Sequence, residues 1–157
     1  MRLSNRSKAG LYSFMDTSLL MLLVLGVIVF FVEKYRIDIL GWESYLLILV
    51  PLLLLLSFYV RGRRIFEYDS DGEALNFKNR NVISFLEKSV NDDFPKYKLK
   101  KYEVFNGLFF KRLYITISSK MNHATLKYDI SYLTKKELND LKYSLNKVIK
   151  ENKENLH

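Results

Sequence analysis

Residues 17–60 read TSLLMLLVLGVIVFFVEKYRIDILGWESYLLILVPLLLLLSFYV, two nearly uninterrupted apolar runs around a short charged connector. The first, Thr17–Val32, carries no charge in 16 residues, and Leu11, Tyr12, Phe14 and Met15 extend it backwards past Asp16. The second, Ser44–Val60, is 17 residues long, with Trp42 and Tyr45 at one end and Tyr59 at the other. A hydrocarbon core of about 30 Å needs roughly 17–25 apolar residues at the helical rise, so both runs with their flanks suffice. The terminal Tyr and Trp match an interfacial aromatic belt. A pair of buried helices in a soluble domain is disfavoured, because so short a chain has too little protein to cover them. A cleaved leader is disfavoured too: the start is basic (Arg2, Arg6, Lys8), but the run outlasts a leader core and ends in FFVEKYR without a small-residue exit. Pro51 removes one backbone donor mid-span and is read as a tolerated kink rather than a gate. Neither run contains an ionisable side chain, so no ion path within one protomer is expected.

The flanks set the orientation. Arg2, Arg6 and Lys8 precede the first run and Arg61, Arg63 and Arg64 follow the second, whereas the connector balances Lys34 and Arg36 against Glu33, Asp38 and Glu43. The excess of cations at the two outer ends predicts a tight hairpin with both termini cytoplasmic. The expected division is a tail over 1–16, a transmembrane hairpin over 17–60, a soluble domain over 61–151 and a frayed end over 152–157.

The remainder of the chain is different in kind. Residues 61–157 hold 33 of the 42 charged side chains, 20 Lys/Arg and 13 Asp/Glu. The net charge of +8 suits an anionic partner such as lipid headgroups or nucleic acid. With no Cys, thiol nucleophiles, disulfides and Cys-based metal sites are excluded. Of the two His, His123 sits at an expected turn and His157 ends the chain, which leaves little room for His chemistry. No phosphate-binding glycine loop, nucleophile elbow or metal-ligand spacing occurs, so no catalytic residue, metal site or cofactor is expected. Asn5-Arg6-Ser7 matches a glycosylation acceptor by chance, and Asp69–Glu73 lacks the later ligands of a calcium loop and reads as a turn.

From Arg64 the apolar period becomes two. Phe66 and Tyr68, then Leu75 and Phe77, form a hairpin around Ser70–Gly72. Val82–Leu86 leaves open a third strand, with EKSVNDDFP as a loop and Asp92 and Asp93 as solvated charges. Lys98–Phe105 and Leu108–Ser119 flank Asn106-Gly107, the strongest short hairpin signal. Leu113, Ile115 and Ile117 take one face, and Arg112, Tyr114, Thr116 and Ser118 the other. Apolar parity shifts between Leu99 and Tyr102, which places a bulge at Lys100-Lys101. After a turn at Lys120–His123, Ala124, Leu126, Tyr128 and Ile130 alternate again. Thr134 and Glu137 form a capping box, and Leu138, Leu141, Leu145, Val148 and Ile149 stripe the adjoining helix over 135–150.

Two apolar helices, about six antiparallel strands and a closing amphipathic helix resemble bacterial pleckstrin-homology-like (PH-like) membrane proteins, including the YcxB-like group. The resemblance rests on KKYEVFNGLFFKRLYITI and DISYLTKKELNDLKYSLNKVI. It covers roughly residues 64–150 plus the anchor. It implies a small antiparallel β-barrel or sheet closed by one helix, used for binding at the bacterial inner membrane, with no catalytic residues. The phosphoinositide-binding basic motif of the eukaryotic relatives is not matched.

Three functions compete. The favoured one is a non-catalytic accessory or scaffold module that contacts another membrane protein or a second copy of itself. Phe109, Phe110, Arg112 and Tyr114 beside the hairpin tip are the expected contact residues, since aromatic and Arg side chains anchor such interfaces. The second is a sensor of anionic lipid through Arg61, Arg63, Arg64, Lys98, Lys100 and Lys101. The third is an oligomerising two-helix effector or immunity protein. Neither nucleic acid nor a small-molecule substrate is expected as partner.

Overall fold

The apolar runs and the alternating segments separate in space as they do in sequence. A computed structural model describes residues 1–82, 88–119 and 123–155 and resolves two units, Gly10–Val60 and the combination of Met1–Ala9 with the chain from Arg61 onward.

In the first unit, α1 (Ala9–Val32) and α2 (Leu46–Val60) are joined by a π turn and a short 3-10 turn. Two helical stretches, Arg6–Ile37 and Gly41–Val60, are long and apolar enough to cross a membrane, and only 6% and 11% of their apolar windows are buried within the protein. Core helices of a soluble protein would be mostly covered. Pro51 cannot donate the hydrogen bond that Leu47 O would accept from a fourth residue onward. That freed carbonyl lies against Gly26, where a Cβ would sit 2.2 Å from the oxygen. Only glycine permits so close an approach of two helix backbones, which also favours a weak Cα–H···O contact. In the turn, the buried Glu33 carboxylate accepts the N–H groups of Ile39 (2.6 Å) and Leu40, while Asp38 takes a left-handed φ of 50°.

In the second unit, β2 (Ile65–Asp69), β3 (Ala74–Arg80) and β4 (Val90–Pro95) form an antiparallel meander, and β5 (Leu99–Asn106), β6 (Lys111–Ser118) and β7 (His123–Asp129) form another. The outer strand of the first sheet is β1 (Arg2–Ser4), paired antiparallel to β2 with Leu3 opposite Tyr68. Of the expected tail over 1–16, residues 1–9 group with the sheet domain, and α1 starts at Ala9. A three-residue strand is too short to announce itself by alternation. β1 precedes the helical hairpin in the chain and β2 follows it, so both connections of the hairpin lead into one sheet. Among the described residues the sheets number four and three strands and do not close on each other.

Within the expected EKSVNDDFP loop, Val90–Pro95 forms β4. Val90, Asp92 and Phe94 point inward from β4, and Asp92 accepts a hydrogen bond from Tyr128 Oη at 2.8 Å. Low strand propensity of Asn and Asp hid this strand, and burial of Val90 and Phe94 overrides it. The alternative third strand falls mostly on residues 83–87, and most of the turn before His123 on 120–122, both outside the described residues. The bulge lies where parity placed it, between Leu99 and Lys101. The hairpin turn is wider than Asn106-Gly107 suggested: Asn106 still pairs with Lys111, and four residues, Gly107–Phe110, make the connection.

The core lies between the sheets and α3 (Lys135–Glu154), which runs further than expected. The Phe77 ring stacks on Phe94 at 5.7 Å and on Tyr128, from the opposite sheet, at 4.9 Å. Leu138, Leu141, Leu145 and Val148 are buried as the stripe requires, and both halves of the capping box form. Burial raises the pKa of the Tyr68 and Tyr128 hydroxyls, and for Tyr128 the acceptor Asp92 raises it further. Each hydroxyl has a partner, Ser144 Oγ at 2.9 Å for Tyr68.

Candidate functional site

Two asparagines brace the domain. Asn79, fully buried on β3, donates to Asp129 O (3.0 Å) and Ile65 O (3.2 Å) and accepts from Asp129 N (2.8 Å), so its amide replaces a strand neighbour at the corner between the sheets. Asn5 does the same for the start of β2, donating to Arg64 O (2.7 Å) and accepting from Phe66 N (2.8 Å). Its amide is buried and occupied, which removes the glycosylation reading on structural grounds.

Asp129 ties the end of β7 to the chain returning from α2. Its carboxylate, 6% exposed, accepts from Arg112 Nε (3.2 Å) and from the backbone N–H of Arg63 (3.2 Å), with the Arg63 guanidinium 3.7 Å away. Gly62 makes this possible: at φ 78° its Cα packs so close that a Cβ would lie 2.5 Å from the carboxylate. Ser131 extends the attachment, donating from Oγ to Arg61 O (2.8 Å) and accepting from Lys111 N (3.0 Å). At the other connection, Lys8 Nζ pairs with Glu137 on the first turn of α3 (3.4 Å). The chain thus leaves the domain for α1 and returns from α2 at one end, here the connection end. Of the three arginines expected to face lipid, Arg61 is exposed, Arg63 is paired to Asp129 and Arg64 is buried.

Three of the four expected contact residues come together. On the outer face of the second sheet, cross-strand rungs run Phe105–Arg112–Asp129, Glu103–Tyr114–Lys127 and Lys101–Thr116–Thr125. Arg112 is held between Asp129 and the Phe110 ring, 4.3 Å below its guanidinium, and Phe110 stacks on Phe105 at 5.8 Å. Tyr114 is half-buried and lines a shallow groove with Glu103 and Thr125. Such a face offers a fixed guanidinium and an aromatic surface, with the exposed Lys101–Glu103 ion pair (2.9 Å) beside them. Phe109 stands apart, on the tip beside Leu108. Phe105 belongs to this face and escaped the sequence reading, although its place opposite Arg112 emerges once the bulge is counted.

The expected lysines form a separate group at the opposite end. Lys98, Lys100 and Lys101 flank the start of β5, where Asn152 of α3 pins the turn by donating to Lys96 O (2.7 Å) and Leu99 O (3.0 Å). Lys142 and Lys153 of α3 line the same groove as Lys100 and Lys101. The strand from Leu99 to Asn106 puts about 20 Å between this cluster and the connection end. Among the described residues, Lys98, Lys100 and Lys101 thus lie apart from Arg61 and Arg63.

No family model, curated protein or solved structure matches the chain.

Proposed function

We propose that the chain is a non-catalytic, membrane-anchored binding module of the PH-like type, held in a bacterial inner membrane with both termini cytoplasmic. Its sheet domain docks a membrane-associated protein on the outer face of β5–β7. Four strands, three strands and a closing helix, in that order, are consistent with the PH-like layout. The observation that carries the binding reading is the Phe105–Phe110–Arg112 cluster: an arginine already immobilised by Asp129 and an aromatic ring loses little rotamer freedom on docking. Sensing of anionic lipid draws less support. The lysine cluster lies about 20 Å from the connection end, two or more Debye lengths at physiological salt, so the home membrane exerts little pull on it.

The test is photo-crosslinking in intact cells from benzoylphenylalanine placed at Tyr114, with the same probe at exposed Tyr97 as reference. A discrete protein adduct, or an adduct between two copies of the chain, formed from Tyr114 and abolished by Arg112→Ala supports the reading. Adducts to lipid alone, or equal patterns from both positions, refute it.

A further inference from the structure

The hairpin tip between β5 and β6 is apolar where a solvated turn is normally polar. Leu108 is 89% exposed and Phe109 58%. Their neighbour Phe110 is turned back: its carbonyl accepts from Gly107 N at 2.8 Å, its ring lies under Arg112 and stacks on Phe105. A Cβ on Gly107 would approach that ring to 3.0 Å, so the turn is held tight and two apolar side chains project from it.

The tip also has a definite address. Lys111, the first residue after it, reaches Arg61 through a single bridging side chain, Ser131, over hydrogen bonds of 3.0 and 2.8 Å. Arg61 is bonded to Val60, the last residue of the apolar helix α2. A span ending at Val60 leaves Arg61 in the headgroup layer, which occupies roughly 5–7 Å on each side of the hydrocarbon. From there β6 runs away to Ser118, beside Lys98 and Asn152. Leu108 and Phe109 lie beyond Lys111 in the opposite sense, at the connection end.

We propose that Leu108 and Phe109 insert into the acyl–headgroup boundary of the bilayer that holds the hairpin, giving the domain a second, non-covalent membrane contact. Amphipathic elements bind there by burying a few apolar side chains with cations at their rim. Lys111 supplies the cation, and Arg112 is already committed to Asp129. The contact limits the tilt of the domain and so the height at which the β5–β7 face meets a neighbour. It assigns Phe109 to lipid rather than to a protein partner. The proposal rests on the anchor part of the proposed function, not on the identity of the partner.

Single-tryptophan variants of the full chain test it, since Trp42 is the one native tryptophan and Trp42→Phe removes it. Phe109→Trp reports the tip, Tyr97→Trp the opposite end and Leu53→Trp the middle of α2, each reconstituted in phosphatidylcholine vesicles. Quenching by lipids spin-labelled near the headgroup is expected to be several-fold stronger at Phe109→Trp than at Tyr97→Trp, with aqueous iodide giving the reverse order. Leu53→Trp is expected to respond to labels deep in the acyl chain. Deep quenching at Leu53→Trp together with equal iodide access at Phe109→Trp and Tyr97→Trp overturns the tip contact and leaves the anchor standing. Absence of lipid quenching at Leu53→Trp overturns the anchor and the tip contact with it. Equal lipid quenching at tip and opposite end means adsorption of the whole domain, and also overturns the proposal.

Discussion

Asn79→Ala should be among the most damaging single changes available in the sheet domain. The amide makes three hydrogen bonds at a site with no solvent access, two of them to the backbone of Asp129. Alanine leaves the Asp129 N–H and carbonyl without these partners, in a region too enclosed for water to replace them freely. Each orphaned buried group costs about 1–3 kcal/mol, so a loss of roughly 2–5 kcal/mol is expected. For a domain of about a hundred residues, each kcal/mol is worth about 4–8 °C, which puts the melting temperature at least about 8 °C lower. Near-ultraviolet circular dichroism of the full chain in mild detergent follows the packing of the buried aromatic residues, most of which lie in this domain. Asn79→Asp sharpens the test. It keeps an acceptor for the Asp129 N–H, but sets a carboxylate against the carbonyls of Ile65 and Asp129. That variant should be unstable at neutral pH and recover partly on acidification, when the protonated acid donates. An Asn79→Ala protein that melts within about 3 °C of the parent would refute the brace, because such a shift is less than one orphaned group should cost.

Leu141→Ala and Leu145→Ala, both at fully buried positions, should each cost about 2–5 kcal/mol in the same assay, and an unchanged melt would mean that α3 does not close this core. Burial lifts the Glu137 carboxyl, but the Thr134 cap and Lys8 outweigh it and hold the group below its ordinary 4.5 in the folded state. That depression stabilises the fold above the unfolded value and is lost as pH falls through the folded one, so Glu137→Gln should flatten the acid limb below about pH 5. An acid limb of unchanged steepness would remove Glu137 from the account. Gly26→Leu forces a side chain against Leu47 O and should loosen the α1–α2 pair, read as greater protease access at the Glu33–Ile37 turn in detergent. In cells, Ile39→Cys should react with impermeant thiol reagents only from outside and Asn155→Cys only from the cytoplasm. Reaction with the opposite sidedness would reject the hairpin orientation.

What could be read from sequence was whatever repeats locally. Leu113 and Ile115 against Arg112 and Tyr114 is plain alternation, and the sheet keeps it. Thr134 and Glu137 cap a helix whose stripe needs no tertiary knowledge. Even the bulge at Lys100 shows, since it breaks a parity that β6 and β7 obey. Long-range features left no such trace. β1 is three residues long and pairs with a strand some sixty residues away. β4 carries Asn-Asp-Asp yet forms because Val90 and Phe94 have a core to enter. Asn79 and Asn5 act through one side-chain amide each, a role with no spacing rule. The arginines after α2 suggested membrane contact by composition, and only the close packing of Gly62 on Asp129 reveals that Arg63 is spent inside the domain. The division of the lysines from the arginines depends on which end of β5 the chain is joined to, and that knowledge is purely spatial.

The position of the helical hairpin in the chain carries a mechanical consequence. It is not appended to a finished domain but inserted between two paired strands, β1 and β2. A domain on a single covalent tether can swivel about that backbone. One that is joined both at Ala9 and at Arg61 cannot, provided the β1–β2 pairing persists. The pairing is short but reinforced: Asn5 occupies the backbone of Arg64 and Phe66, Leu3 is buried, and the N-terminal amine pairs with Asp71. Both connections are held by side chains of the sheet domain, Glu137 for Lys8 and Asp129 and Ser131 for residues 61–63. For the docking proposed above, orientational freedom lost before the encounter is not lost again on binding.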